Sequence, residues 1–147
     1  MKNTNSVRRE VDDISKNEEY KVWGIKNKEF VKLKSINYDT QTVDTAEYGV
    51  LNFDEVNISK YISRSDIKGN KIFTGDIVKV KEPFSLGLLG LGISNEIRAY
   101  VTNYKGYWII KDVKTEKIFY LKDFEKIEII GNVWENKELL KWVKKLL

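Results

Sequence analysis

The feature that most constrains the fold is a two-residue alternation of apolar and polar side chains, which begins at Tyr20 and returns along most of the chain. It is clearest at residues 56–62, 77–81 and 97–102. Turn residues such as Gly, Asn and Asp separate the alternating segments at intervals of about 8–12 residues. Because successive side chains of a strand point to opposite faces, the pattern predicts about eight to ten short strands.

Many short strands at this spacing are typical of an all-β barrel or sandwich. We therefore predict that residues 19–147 form one small, barrel-like antiparallel sheet domain of mainly β structure. After Gly131 the apolar period becomes helical. A C-terminal helix is predicted over residues 136–147, with Asn136 as its N-cap and its leucines packed on the sheet or at a subunit interface.

Residues 1–18 are polar, and their acidic and basic side chains nearly cancel. Their apolar residues Val7, Val11 and Ile14 are spaced as on one side of a helix. We interpret the segment as a disordered N-terminal tail. The alternative is a short helix that docks on a neighbouring subunit.

Cysteine and histidine are both absent from the sequence. Their absence excludes disulfides, thiolate metal sites, and Ser-His-Asp or Cys-His catalysis built from this chain alone. Neighbouring acidic residues such as Asp54 and Glu55 point apart on a strand or a helix, so their spacing indicates neither a metal site nor a carboxylate pair. The sequence therefore predicts no cofactor, no metal and no enzymatic activity.

The net charge is +4, from 26 basic and 22 acidic residues that are closely interleaved. A positive balance permits attraction to nucleic acid, but the chain has no basic tract of the kind found in nucleic-acid-binding tails. We interpret the charge as that of an ordinary solvated surface.

No apolar segment follows Met1, and the longest weakly charged apolar stretch is residues 83–95. That stretch is shorter than the roughly 20 residues that span a bilayer. The sequence therefore predicts neither a secretory signal nor a membrane span, and we expect a soluble protein of the cytoplasm.

Three blocks carry a resemblance to a known family. Residues 20–30 read YKVWGIKNKEF, residues 66–78 read DIKGNKIFTGDIV, and residues 130–140 read IGNVWENKELL. In order and spacing they resemble the (F/Y)RAWD, DKNGKEIYEGDIV and IGNIYENPELL blocks of the YopX family of phage and prophage proteins. The resemblance implies a small, β-rich, oligomeric phage-encoded protein, for which the cytoplasm expected above is that of the host cell. It supplies no reaction and no catalytic residues.

The chain departs from the pattern of that family at three turns. Ser63 stands where the family usually has glycine, Lys68 and Gly69 replace an Asn-Gly turn, and Trp23 is followed by Gly24 and not by Asp. These differences concern the local backbone at each bend.

Residues 83–94 read PFSLGLLGLGIS and are apolar, glycine-rich and uncharged. Because an exposed apolar loop is unfavourable in water, we expect this segment to be covered. We favour a contact between subunits, with burial against its own domain and a flap over a ligand pocket as alternatives. The side chains predicted to form this oligomer contact are Phe84, Leu86, Leu88, Leu89 and Leu91.

A second candidate surface is the hairpin of residues 97–108, which interleaves basic and aromatic side chains. Barrel folds that bind single strands stack bases on such rings while basic residues contact the phosphates. The candidate nucleic-acid face consists of Arg98, Tyr100, Lys105 and Tyr107, and Tyr104 and Trp108 lie in the same hairpin. Aromatic residues also favour strands for packing reasons alone, and from the sequence we favour that ordinary interpretation.

Gly75 and Asp76 are interpreted as a structural turn, since Gly allows unusual backbone angles and Asp bonds its own backbone. Together these observations predict a phage or prophage accessory protein that is non-enzymatic, acts by binding and self-associates. A nucleic-acid-binding module that uses residues 97–108 is the alternative. An enzyme that acts through carboxylates or lysines is a third hypothesis, which depends on a pocket where such groups converge.

Overall fold

The computed structural model describes residues 19–82 and 95–140, which are mainly β structure, as predicted. The strands are β1 (Tyr20–Gly24), β2 (Glu29–Val31), β3 (Leu33–Asn37), β4 (Thr42–Thr45), β5 (Gly49–Asn52), β6 (Val56–Ser65), β7 (Lys71–Phe73), β8 (Asp76–Lys81), β9 (Glu96–Tyr104), β10 (Tyr107–Asp112), β11 (Ile118–Tyr120) and β12 (Glu128–Asn132). Short 3-10 helices occupy Phe53–Glu55, Leu121–Asp123 and Lys137–Leu140. Within the described ranges, no helix has the length and hydropathy needed to cross a bilayer.

The chain divides into two compact units, residues 1–61 and residues 62–147, and the boundary falls inside β6. A single β domain over residues 19–147 stays a prediction. The predicted tail or helix of residues 1–18 lies outside the described residues.

In the first unit, β1 pairs antiparallel with β2 and with the first part of β6, and β3, β4 and β5 form an antiparallel sheet. A register shift between Leu33 and Ser35 bends β3. Because of this shift Ile36, and not Ser35, joins Leu33 in the core. The buried core of this unit is Val22, Val31, Leu33, Ile36, Val43 and Val56.

The second unit is built on a five-stranded sheet in the order β11-β10-β9-β8-β12, with every neighbouring pair antiparallel. One face of this sheet carries the core, where Val78 lies opposite Ala99 and Val101 lies opposite Ile110. The alternation predicted for residues 77–81 thus brings Val78 and Val80 inward. The buried core consists of Ile62, Ile72, Val78, Val80, Ile97, Ala99, Val101, Ile110, Leu121, Phe124 and Ile127.

The C-terminal segment differs from the predicted helix over residues 136–147. The structure shows only a 3-10 helix at Lys137–Leu140, in which the N–H of Leu139 donates to the carbonyl of Asn136, and residues 141–147 lie outside the described part. The side-chain oxygen of Asn136 accepts the backbone N–H of Asn132 at 3.0 Å. Asn136 therefore closes a turn after β12 with the oxygen that an N-cap would direct at the helix.

Candidate binding surface

The hairpin of β9 and β10 places two tyrosines side by side. Tyr104 lies directly opposite Tyr107, and Lys105 and Gly106 form the two-residue turn between them. Both turn residues have positive φ angles, 51° and 84°, as a type I′ hairpin turn requires. The side-chain oxygen of Asn103 accepts the N–H of Gly106 at 3.2 Å, which fixes the turn.

A third tyrosine joins this pair from the next strand. The rings of Tyr107 and Tyr120 meet edge to face, with centroids 5.6 Å apart and planes at 74°. Tyr104, Tyr107 and Tyr120 keep 46%, 57% and 46% of their surface exposed. Three large rings on adjacent strands are thus about half open to solvent.

Two lysines hold their ammonium groups over the rings of this set. The Nζ atom of Lys105 lies 5.2 Å from the ring centre of Tyr104, and that of Lys122 lies 5.6 Å from the ring centre of Tyr120. Each contact is a cation–π interaction of about 0.5–1 kcal/mol at an exposed site. We call the set of Tyr104, Tyr107, Tyr120, Lys105 and Lys122 the tyrosine surface.

The tyrosine surface lies on the face of the five-stranded sheet that is opposite to the core. Ile109, which pairs with Thr102 on one side and Tyr120 on the other, is only 1% exposed, yet it is outside the core cluster. Ile118, on the same face, is 43% exposed. Ile109 is therefore covered on this face, and the large side chains that stay open around it are the three tyrosine rings and Ile118.

The structure brings together only part of the predicted nucleic-acid face. Lys105 and Tyr107 belong to the tyrosine surface, whereas Arg98 and Tyr100 lie further along β9, opposite Lys79 and Lys111 respectively. Six residues of strand place Arg98 about 20 Å from Tyr104. Trp108 points to the other face and packs against the core.

Two members of the tyrosine surface, Tyr120 and Lys122, were missed in the sequence. Tyr120 lies in a three-residue strand, and its place beside Ile109 depends on which strands pair. The signal in the sequence was an aromatic residue, Tyr120, followed two positions later by a lysine. This signal is weak when the order of the strands is not known.

The predicted oligomer contact of Phe84, Leu86, Leu88, Leu89 and Leu91 lies outside the described residues. The strands on either side of residues 83–94, β8 and β9, pair with each other. Next to that segment the N–H of Glu82 donates to the carbonyl of Asn95 at 2.9 Å. The contact stays a prediction.

Buried carboxylates of the second unit serve the backbone. Asp76 is 7% exposed and accepts the N–H of Phe73 at 2.8 Å, in agreement with a structural turn. Asp66 is equally buried, and its oxygens accept the N–H groups of Lys68, Asn70 and Ile129 at 3.0, 2.9 and 3.1 Å. Burial alone raises the pKa of Asp66, but the three backbone donors outweigh it and hold the pKa below its ordinary value of 3.8.

The enzyme hypothesis requires a pocket in which carboxylates or lysines converge. One groove of the described surface, of about 850 Å³, is lined by both kinds of side chain. Its floor includes Val80, Phe124 and Ile127. Its rim carries the charged side chains of Lys79, Lys81, Glu96, Asp123, Glu125, Lys126 and Glu128. One rim pair, Lys79 and Glu128, is joined by a salt bridge of 3.9 Å. In the described ranges no group of three or more Asp, Glu, His or Cys side chains is placed to hold a metal ion.

The three resemblance blocks are parts of a longer match. The model of the YopX protein family matches residues 8–141. The chain belongs to the YopX family. This confirms the resemblance and identifies a phage-type protein whose molecular role is unknown.

The fold has a counterpart among solved structures. The YopX-family chain is similar to the crystal structure of protein EF1440 from Enterococcus faecalis, with a TM-score of 0.53 and 17% sequence identity. The likeness covers 83% of this chain and 96% of that one. At this identity it shows a shared fold alone. A search of curated proteins found no match.

Proposed function

We propose that this phage-type protein acts by binding and not by catalysis, and that the tyrosine surface is its contact surface. The observation that supports this most is the exposure of Tyr104, Tyr107 and Tyr120 on one sheet face, each about half open. Tyrosines are enriched in binding interfaces, where they supply large contact areas at little cost in conformational entropy. Lys105 and Lys122, which lie at the rings of Tyr104 and Tyr120, make the surface basic as well as aromatic.

A non-enzymatic role is supported by how the acidic residues of the central YopX block are used. Asp66 and Asp76 are both engaged by backbone N–H groups, so this block serves the fold. Histidine and cysteine are absent from the sequence, which removes the commonest general base and the thiolate nucleophile. An enzyme that acts through carboxylates or lysines is the alternative, because both kinds of side chain line the rim of the groove beside Phe124.

Self-association in the host cytoplasm is part of the proposal, and its support comes from the sequence. The apolar residues Phe84, Leu86, Leu88, Leu89 and Leu91 form an uncharged segment that is unfavourable in water unless covered. Light scattering of the purified protein at micromolar concentration should show an oligomer. Replacing Leu86 and Leu89 with serine should shift it towards monomer, and a wild-type protein that stays monomeric contradicts this part.

The contact surface itself is tested by capture from infected or lysogenic cells, with and without nuclease. The tagged wild type is compared with a variant in which Tyr104, Tyr107 and Tyr120 are replaced by serine. The matched control is Tyr38→Ser, because Tyr38 is 60% exposed but lies in the first unit. The triple variant should lose the bound species that the control keeps. Equal capture by both variants would rule out this surface.

A further inference from the structure

We infer that the ligand of the tyrosine surface is single-stranded nucleic acid, an inference that rests on the proposed binding function. Proteins that bind single strands combine aromatic rings on which bases stack with lysines or arginines that contact the phosphates. The tyrosine surface has both elements on one sheet face, within one compact unit.

The positions of the rings allow separate stacking sites for splayed-out bases, because the planes of Tyr107 and Tyr120 meet at 74°. Tyr104 and Tyr107 are direct partners on β9 and β10, while Tyr120 lies on β11, opposite Ile109 and so diagonal to Tyr107. With neighbouring strands about 4.8 Å apart, the three rings span about 10 Å across the sheet. Sheets that read single-stranded RNA stack on the order of two or three bases on such rings.

The charge around the rings is complementary to a phosphate backbone. Residues 97–123 carry six basic and three acidic side chains. Lys105 and Lys122 hold their Nζ atoms over the rings of Tyr104 and Tyr120, so a base that stacks on either ring displaces the flexible ammonium group towards the phosphate of that base. The Nζ atom of Lys117 lies 3.7 Å from Oε1 of Glu82 and over the ring of Phe119. The carboxylate partly neutralises its charge, so Lys117 attracts a phosphate less strongly.

A single strand fits this surface better than a duplex. Base faces are exposed in a single strand but stacked away inside a double helix, and only exposed faces can pack on tyrosine rings. Duplex recognition commonly inserts a helix or a two-stranded ribbon into the major groove. Tyr104 and Tyr107 lie at the tip of the two-stranded β9–β10 hairpin, but Tyr120 lies on β11, so the three rings together form a sheet face and not a ribbon alone.

The backbone at Lys105 gives a separate observation. Lys105 holds a φ of 51° at the first central position of a type I′ turn, where Asn or Gly is preferred. A lysine in the left-handed region costs stability, as at the four other non-glycine residues of the described chain with a positive φ, so the backbone offers a test of Lys105 and not a mark of function. We expect Lys105→Asn to relax the hairpin and at the same time to weaken binding.

The inference is tested by fluorescence anisotropy of the purified full chain with labelled oligonucleotides of about 16 nucleotides, as single-stranded DNA, single-stranded RNA and duplex DNA. The single strands should bind more tightly than the duplex. Between roughly 50 mM and 200 mM salt, two phosphate contacts predict a slope of log K on log salt near −1.4. Lys122→Gln should reduce that slope by about 0.7, whereas Lys68→Gln, on an exposed turn of the same unit, should leave it unchanged.

Stacking is tested by Tyr107→Ala and Tyr120→Ala, each of which should lower the affinity by about tenfold to a hundredfold. Tyr107→Phe keeps the ring and should retain most of the affinity. Lys105→Asn should raise the melting temperature and lower the affinity, a combination that a merely structural lysine would not give. Circular dichroism checks that each variant is folded.

Three outcomes would overturn the inference: no binding at low salt, equal binding of duplex and single strands, or binding that the tyrosine variants leave unchanged. If oligonucleotides fail to bind while the triple serine variant still loses its captured partner, the surface belongs to a protein partner. In that case the inference falls and the proposed function stands. If capture is also unchanged, both fall.

Discussion

The indole of Trp134 packs directly against the α-carbon of Gly75. A β-carbon built on Gly75 would come 3.1 Å from Nε1 of Trp134 and 3.3 Å from Cε2 and Cζ2. The backbone N–H of Val133 donates to the carbonyl of Gly75 at 2.8 Å, beside this contact. Gly75 and Trp134 belong to the second and third YopX blocks, so these two parts of the family signature meet in space. Gly75, which this chain shares with the family block, is explained by packing against the aromatic side chain at position 134.

Gly75→Ala should destabilise the protein by about 2–4 kcal/mol, because the new methyl group meets the indole while φ is held at 89°. Thermal and urea unfolding measure this loss. The matched control is Gly69→Ala, since Gly69 has a φ of 85° and no neighbour within 4 Å of the added carbon. It should cost about 1 kcal/mol, for the backbone alone. Equal losses at the two sites would contradict packing by Trp134.

Much of the turn chemistry was predictable from the sequence, while the contacts made by those turns were not. The positive φ of Gly69 and the turn at Gly75 follow from local sequence, because glycine adopts angles that other residues avoid. The contact of Gly75 with Trp134 joins residues far apart in the chain. It depends on how β12 pairs with β8.

The candidate site shows the same division. Tyr104, Lys105 and Tyr107 lie in one hairpin, whose two-residue turn sets their register locally. Tyr120 reaches them only because β11 pairs with β10, and Arg98 is remote because the strand is nine residues long. The predicted C-terminal helix over residues 136–147 rested on apolar spacing, but a local bond between Asn136 and Asn132 competes at its start.

Gly131→Ala should destabilise the turn after β12 by about 1–2 kcal/mol. A β-carbon on Gly131 would come 2.5 Å from the side-chain oxygen of Asn136, which must then leave the N–H of Asn132. The measurement is a double-mutant cycle with Asn136→Ala, followed by urea unfolding. Because Asn136→Ala removes the obstacle, the double variant should lose little more than Asn136→Ala alone. Additive losses would contradict a direct contact.

Asp66 should make the stability of the protein depend on pH in acid. Its pKa in the folded state lies below 3.8, whereas unfolding removes the bonds from Lys68, Asn70 and Ile129. The unfolded carboxyl therefore binds protons more readily than the folded one. Its stabilisation is fully present above about pH 3.8 and is lost as the pH falls through the folded pKa. Urea unfolding across pH 2 to 7 measures the slope.

The control for this pH dependence is Asp66→Asn, which should lower the stability at neutral pH by about 2 kcal/mol and flatten the acid slope. Asp54→Asn, at an exposed carboxylate of the first unit, should keep the wild-type slope. If Asp66→Asn titrates like the wild type, other carboxylates cause the acid dependence.

Ser63→Gly should stabilise the protein by about 0.5–1 kcal/mol, because Ser63 holds a φ of 62° in β6. The resemblance to the YopX family leads us to expect glycine at this position, and serine fits the left-handed backbone less well. The bend precedes Arg64, whose guanidinium donates to the carbonyls of Leu121 and Phe124, so its geometry is held by tertiary bonds. Thermal unfolding measures the gain.

The matched control for this prediction is Ser65→Gly, an exposed serine of the same strand without a positive φ. It should destabilise by about 0.5–1 kcal/mol, since glycine adds conformational entropy to the unfolded chain and relieves no strain. The opposite signs of the two variants separate backbone strain from the general cost of glycine in a strand. If Ser63→Gly also destabilises, the left-handed bend is not strained, and the departure from the family at this position carries no cost in stability.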